Sequence, residues 1–189
     1  MITRQNYMPG LAFGAEARRE GDEWTLVLVR DLRHPPTKVW QALTDPAELR
    51  EWAPFDSDRN LGAPGPAKLT TVGASGAPVT EGTVKRADPP KLLEFNWGGN
   101  DMRWELEQLG SGTRLTLWHN IGRQFIAMGA AGWHISLDVL DQFLAGNPIG
   151  RIVGSDAMKF DGWKRLHAEY LKQFNAEETK PNEQSDRSK

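Results

Sequence analysis

Arg33-His-Pro-Pro-Thr-Lys-Val-Trp-Gln-Ala-Leu-Thr-Asp-Pro46 is the stretch on which the reading of this chain turns. Proline fixes φ and lacks an N–H, so Pro35 and Pro36 end a strand and suit the first turn of a helix. Val39, Trp40 and Leu43 then place apolar groups on one side of that helix. Asp45-Pro46 repeats the device: Asp45 is a candidate cap and Pro46 the first position of a second short helix. Leu49, Trp52 and Phe55 are that helix's expected apolar contribution.

Working outward, residues 24–32 read as a strong strand, with Leu26, Val27, Leu28 and Val29 apolar on both faces. Ahead of it, Leu11, Phe13, Ala15 and Ala17 alternate weakly, and Glu20-Gly-Asp22 reads as a turn. After the two helices, residues 56–67 are rich in Gly, Pro and Asp and are expected to form a loop. Strands are expected at 68–73, 79–87, 91–97, 102–109 and 113–121, joined by short connectors that favour antiparallel neighbours. Alternation is clearest where Met102, Trp104 and Leu106 oppose Arg103, Glu105 and Glu107, and where Leu93, Phe95 and Trp97 oppose Leu92, Glu94 and Asn96.

The period then changes. Trp133, Leu137, Leu140, Phe143 and Leu144 form a helical stripe that Gly146-Asn-Pro148 ends. A linker runs through Gly154, and residues 156–174 carry a second helical pattern. The expected organisation is a flexible segment at 1–11, one domain over 12–174, and a disordered polar tail at 175–189. An antiparallel sheet with one apolar face needs a cover, and the late helices supply it. The fold class is therefore α+β, a curved antiparallel sheet wrapped around a C-terminal helix.

Composition excludes more than it selects. The 189 residues contain no cysteine, which removes disulfides, thiolate nucleophiles and sulfur-bound metals. The formal net charge is −2 and the charges are interspersed, so no basic stripe invites nucleic acid. No apolar run approaches the ~20 residues of a membrane span, and none resembles a signal peptide. A cytoplasmic location is expected. No phosphate loop, His-Glu-x-x-His pattern or calcium loop is present, so neither cofactor nor metal is called for.

The order of elements, with Pro35 through Asp45-Pro46 to Trp52, Glu81-Gly-Thr-Val84, Asp88-Pro-Pro90 before Leu93-Glu-Phe-Asn-Trp97, and Gly132-Trp-His-Ile-Ser-Leu-Asp-Val-Leu140, resembles the activator-of-Hsp90-ATPase homologue 1-like family. That family lies within the START-like, polyketide-cyclase-like ligand-binding superfamily. The resemblance implies the helix-grip fold. It also implies one of three roles: binding a small hydrophobic or amphipathic molecule in an internal cavity, a cyclase-, dehydratase- or hydrolase-like activity, or a co-chaperone-like contact with a protein partner. A homodimer is compatible with each. Fold alone does not choose among them.

Eight tryptophans in a chain of this size suit either a demanding core or an aromatic-lined cavity. The candidate ligand-contacting residues are Phe55, Phe95, Trp97, Trp104, Leu117, His119, Arg123, Phe125, Trp133 and Leu137. His119 shares an apolar face with Leu115 and Leu117, suited to orienting a ligand carbonyl or hydroxyl, or to acting as a base. An enzymatic reading would pair it with His134 or Asp138. His134 is expected at the flank of its helix, within reach of Asp138 four residues on. Residues 54–67 and 122–130 are the expected entrances, with Arg123 placed to meet an acidic group.

Overall fold

The computed structural model describes residues 1–76 and 78–178. Two strands open the chain, β1 (Ala15–Glu20) and β2 (Glu23–Leu32), and the helices α1 (Pro36–Thr44) and α2 (Pro46–Trp52) follow. Six strands come next: β3 (Phe55–Ser57), β4 (Gly65–Thr71), β5 (Val79–Asp88), β6 (Leu92–Trp97), β7 (Asn100–Leu109) and β8 (Gly112–Asn120). A 3-10 turn at Arg123–Phe125 leads into α3 (Ile126–Leu144), then α4 (Gly154–Met158) and α5 (Asp161–Glu178). The eight strands form one antiparallel sheet in the order β1-β2-β8-β7-β6-β5-β4-β3.

Asp45 hinges the first helix pair. Its backbone N–H donates to the Gln41 carbonyl at 2.8 Å, closing α1, while its Oδ1 accepts from the Ala47 N–H at 2.7 Å at the start of α2. Trp52 Nε1 then donates to the Ala42 carbonyl at 2.9 Å, tying the end of α2 back to α1. Because the pair is locked internally, its apolar side (Val39, Leu43, Leu49, Trp52) docks as one wedge against α3 and the sheet.

Alternation decides the inner face. Leu26 of β2 stands opposite His119 of β8, which stands opposite Met102 of β7, and Leu28, Leu117, Trp104 and Leu93 continue across in the next row. These side chains are buried, whereas the intervening charged residues face out and pair with one another, as in Arg114–Asp31 at 2.8 Å and Lys85–Asp101 at 2.6 Å. The sheet curls around α3, whose Ala130, Ala131, Ile135, Val139 and Leu140 are fully buried. Against α3 pack α5, α2, β2 and α1. The α+β helix-grip architecture is thus realised, with α3 as the gripped helix and α5 as its outer cover.

Several boundaries differ from expectation. Within the expected loop at 56–67, Phe55–Ser57 pairs with β4, and β4 itself begins at Gly65. Phe55 is therefore a strand residue, not part of α2. Trp40 is only half-buried, since α1 turns Val39 and Leu43 inward instead. The second helical pattern, expected over 156–174, divides into α4, which begins at Gly154, and α5, which runs to Glu178. The rest of the expected tail, from Thr179, lies outside the described residues.

Residues 1–14, expected to be flexible through residue 11, run along α3 and α5 with specific contacts. Tyr7 donates its hydroxyl to Asp138 Oδ2 at 2.7 Å, the Ala12 N–H donates to Glu169 Oε2 at 2.7 Å, and Arg165 donates to the Pro9 and Gly10 carbonyls. Tyr7 is buried, and its hydroxyl serves a carboxylate. Tyr7→Phe keeps the ring and removes that bond. Charged-acceptor hydrogen bonds are worth about 1.5–3 kcal/mol, so urea titration is expected to show a loss in that range. A loss below ~0.5 kcal/mol would show that this bond does not anchor the segment.

Candidate functional site

An apolar pocket of about 400 Å³ opens between the inner face of the sheet, the first half of α3 and the segment that carries α4. Trp97 at the end of β6 and His119 near the end of β8 form its sheet wall, and Ile121 extends it. Gly129, Gly132, Trp133 and Ser136 form the α3 wall. The third side comes from Val153, Gly154, Ser155, Ala157 and Met158, with Trp163 from α5. Met128 and Met158 also line it and are 38% and 47% exposed, which puts these adaptable side chains at the mouth. None of the lining residues carries a formal charge at neutral pH.

A missing side chain creates the space. Two glycines lie on one face of α3: a Cβ added at Gly132 meets nothing within 4 Å, whereas one added at Gly129 would fall 3.0 Å from Ile121 Cδ1, so Gly129 lets the end of the sheet approach the helix. Closure at the far end depends on backbone contact. Gly154, at φ +56°, lies so near Gly73 that an added Cβ would fall 2.4 Å from the Gly73 carbonyl oxygen. The Ser155 N–H donates to that same oxygen at 3.1 Å. This close approach requires glycine at 154 and pins α4 beside the pocket.

His119 is the titratable group of the wall. It is 4% exposed, and Trp133 Nε1 donates to its Nδ1 at 3.0 Å. Its other nitrogen, Nε2, is buried and has no hydrogen-bond partner among the described residues. Burial alone pushes its pKa down to about 4, and no neighbouring charge contributes. At neutral pH the ring is uncharged, with Nδ1 as acceptor and the proton therefore on Nε2. Trp97 stacks on the imidazole at 6.1 Å and 27°, and Trp133 meets it edge-on. Trp97 is itself fixed by donating Nε1–H to Thr71 Oγ1 at 3.0 Å.

The ten candidate residues separate into three groups. Trp97, His119 and Trp133 come together at the pocket. Phe55, Phe95, Trp104, Leu117 and Leu137 are at most 2% exposed and fill the core behind it: Phe55 packs on Trp97 at 5.2 Å, and Trp104 on Trp133 at 5.5 Å. Arg123 and Phe125 lie elsewhere. The Arg123 guanidinium sits over the Trp24 ring at 5.7 Å, and Phe125 is 47% exposed on the 3-10 turn. Of the expected entrances, Pro54, Met128 and Gly129 reach the pocket.

His134 lies on the flank of α3 but is not at the surface. It is fully buried, because α5 covers the flank of α3 on which it lies. Its Nδ1 is 2.8 Å from the Tyr170 hydroxyl, and burial, then Arg30 and Arg165, push its pKa down to about 3. Asp138 approaches Nε2 only to 3.6 Å and accepts from Tyr7 instead, so the expected pair is not an ion pair at neutral pH. His119 bonds to Trp133 and His134 to Tyr170. No hydrogen bond or ion pair joins His119 to His134 or Asp138 among the described residues. No three His, Asp or Glu side chains among the described residues converge as metal ligands. No helix among them is long and apolar enough to cross a membrane.

Sequence reasoning missed Gly132, Ser136 and the 153–163 side of the pocket. The spacing of the two glycines inside a helical stripe was the available signal. Residues 153–158 carry no pattern that distinguishes a pocket wall from a linker. A second groove, of about 380 Å³, lies on the outer face of the sheet between Arg18, Lys85, Glu94, Asp101 and Arg103. Several of these charges are matched across strands (Lys85–Asp101, Arg103–Glu94), as on an ordinary solvated face.

Comparison with known proteins agrees with this architecture. Residues 33–145 match the family model described as activator of Hsp90 ATPase homologue 1-like protein, and the chain belongs to that family. Among solved structures it is similar to CalU16 from Micromonospora echinospora. The solution structure of that protein gives a TM-score of 0.64 at 21% identity, covering 90% of this chain and 96% of that one. A conserved protein of unknown function, EF2215 from Enterococcus faecalis, gives 0.62 at 20% identity over 84% and 89% of the two chains. An AHSA1-like protein from Aeromonas hydrophila gives 0.54 at 19% identity over 65% and 92%. At these identities the likeness is one of fold. Comparison with curated proteins gives no match.

Proposed function

We propose that the protein binds a small hydrophobic or amphipathic molecule in the pocket between β6, β8, α3 and α4. The observation that carries this reading is the pocket itself. It is apolar, about 400 Å³, walled by Trp97, Trp133 and Trp163 and opened by Gly132. Ligand sites have this character: a few hundred Å³, mostly aromatic and aliphatic walls, and a small number of placed polar groups. A protein-docking role would be favoured by a filled interior beneath a broad exposed apolar patch. Catalysis would be favoured by a second ionisable group beside His119, and its protonation is governed by burial alone.

Gly132→Phe tests the reading directly. The new ring has open space to enter, and replacing a mid-helix glycine does not strain α3. Titration with 2-acetylnaphthalene, followed through the fluorescence of the pocket tryptophans, is expected to show binding to the wild type and at least tenfold weaker binding to Gly132→Phe. Thermal stability of the variant should be equal or higher. Equal affinity in the two proteins would place the probe outside the pocket and overturn the proposal.

A further inference from the structure

The Trp133–His119 pair has a chemical consequence for what the pocket accepts. An indole N–H only donates, so Trp133 Nε1 at 3.0 Å obliges His119 Nδ1 to accept. The imidazole proton is thereby held on Nε2. That N–H belongs to a pocket-lining residue, is closed to solvent and has no partner among the described residues, and leaving a buried donor unpaired is costly. No Arg or Lys borders the pocket to receive an anion, and no Asp or Glu borders it to receive a cation. Trp97, stacked on the imidazole and anchored through Thr71, holds the ring in place from its other side.

We infer that the pocket selects an uncharged apolar molecule bearing a hydrogen-bond acceptor, such as a ketone, ester or ether oxygen, and that His119 Nε2–H, set by Trp133, reads that acceptor. The inference rests on the ligand-binding reading of the pocket and narrows it to a chemical class. Trp133 acts as a positioning residue: it orients the histidine and determines which of its nitrogens carries the proton. The low pKa of His119 accords with this role, since the donor stays neutral down to about pH 4 and creates no preference for anions.

The test uses a shape-matched pair, 2-acetylnaphthalene and 2-isopropylnaphthalene, with 2-naphthoate as the charged probe. Affinities are measured by calorimetry for the wild type, His119→Phe, His119→Gln and Trp133→Phe. The ratio of ketone to hydrocarbon affinity is expected to be about 5–10-fold higher in the wild type than in His119→Phe, the worth of one neutral hydrogen bond. His119→Gln, which keeps an N–H donor, should retain part of the preference. Trp133→Phe should lose part of it, because the proton is then free to move to Nδ1. Naphthoate should bind more weakly than the ketone.

Long-range 1H–15N correlation spectra of the unliganded wild type provide a readout independent of any probe. They are expected to show a protonated Nε2 and a bare Nδ1 for His119, and a proton on Nδ1 would overturn the inference. An unchanged ratio in His119→Phe that still binds the hydrocarbon overturns the selection and leaves the pocket reading standing. If His119→Phe fails to fold, an unchanged ratio in Trp133→Phe together with an unchanged tautomer overturns it equally. Failure of both neutral probes to bind the wild type overturns the pocket reading and this inference with it.

Discussion

Lowering the pH from 7 to 5 is expected to destabilise the protein by roughly 4 kcal/mol, well before most carboxylates titrate. The cause is the two buried histidines. In the folded chain the pKa of His119 is pushed down to about 4 and that of His134 to about 3, both from an ordinary value of 6.5. Between those values and 6.5 the unfolded chain binds protons that the folded chain refuses. Stability is therefore full above pH 6.5 and falls as acid is added, by about 1.4 kcal/mol per pH unit for each histidine. The loss from His119 is complete near pH 4 and that from His134 near pH 3. Asp138 works in the opposite sense. Burial raises its pKa above 3.8, so its protonation favours the folded state and offsets part of the loss in the carboxylate range.

Urea titrations at half-unit steps from pH 7.5 to 4.5 measure the slope. His119→Gln removes one titrating group while keeping an acceptor for Trp133, and should reduce the slope by about one proton. A flat profile between pH 7 and 5 would mean that the histidines are solvated or charged in the folded state. The prediction would then fail. Given that domains of this kind are usually stable by only 5–15 kcal/mol, the effect should be visible as unfolding in mild acid.

Trp104→Ala should cost about 3–5 kcal/mol, as truncation of a buried aromatic does when the surroundings cannot close the gap. Trp104 is 1% exposed and lies between two other indoles, edge-on to Trp52 at 6.1 Å and to Trp133 at 5.5 Å. Cross-strand neighbours Leu93 and Leu117 flank it. Three rigid elements (β7, the α1–α2 wedge through Trp52, and α3 through Trp133) meet there, so relaxation into the void is restricted. Because Trp133 leans on this ring, the variant should also bind pocket probes less well than its residual folded fraction would suggest. Denaturant unfolding decides the matter: a loss under 1 kcal/mol would show that the cluster is not a keystone of the core.

Much of the architecture was legible in the residues. Period-two patterns assigned Met102, Trp104 and Leu106 to one face of the sheet and Arg103, Glu105 and Glu107 to the other. Pro36, Asp45 and Pro46 marked the helix pair because their backbone chemistry is local, and a local rule can be read from a local stretch. His119 was likewise assigned to the apolar face by counting from Leu117. Where the rule was not local the reading failed. Phe55–Ser57 forms a strand only because β4 is there to pair with it. His134 is buried only because α5, some thirty residues further on, covers its flank.

Alternation tells which way a side chain points but not what lies across from it. From the chain alone, then, came the α+β class with a curved sheet around a helix, the helix-grip fold through the family resemblance, and the apolar faces to which Trp97, His119 and Trp133 belong. Folding settled that Trp97 and Trp133 line a space while Phe55, Phe95 and Trp104 fill one. A pocket is the volume left when β8, α3 and the α4 segment meet, and here it depends on the side chain that Gly132 lacks. It is also closed by a backbone contact, Gly154 on Gly73, between residues far apart in the chain. The protonation of His119 depends on burial and on Trp133 reaching it across the fold. Both are properties of neighbours, and only packing brings those neighbours together.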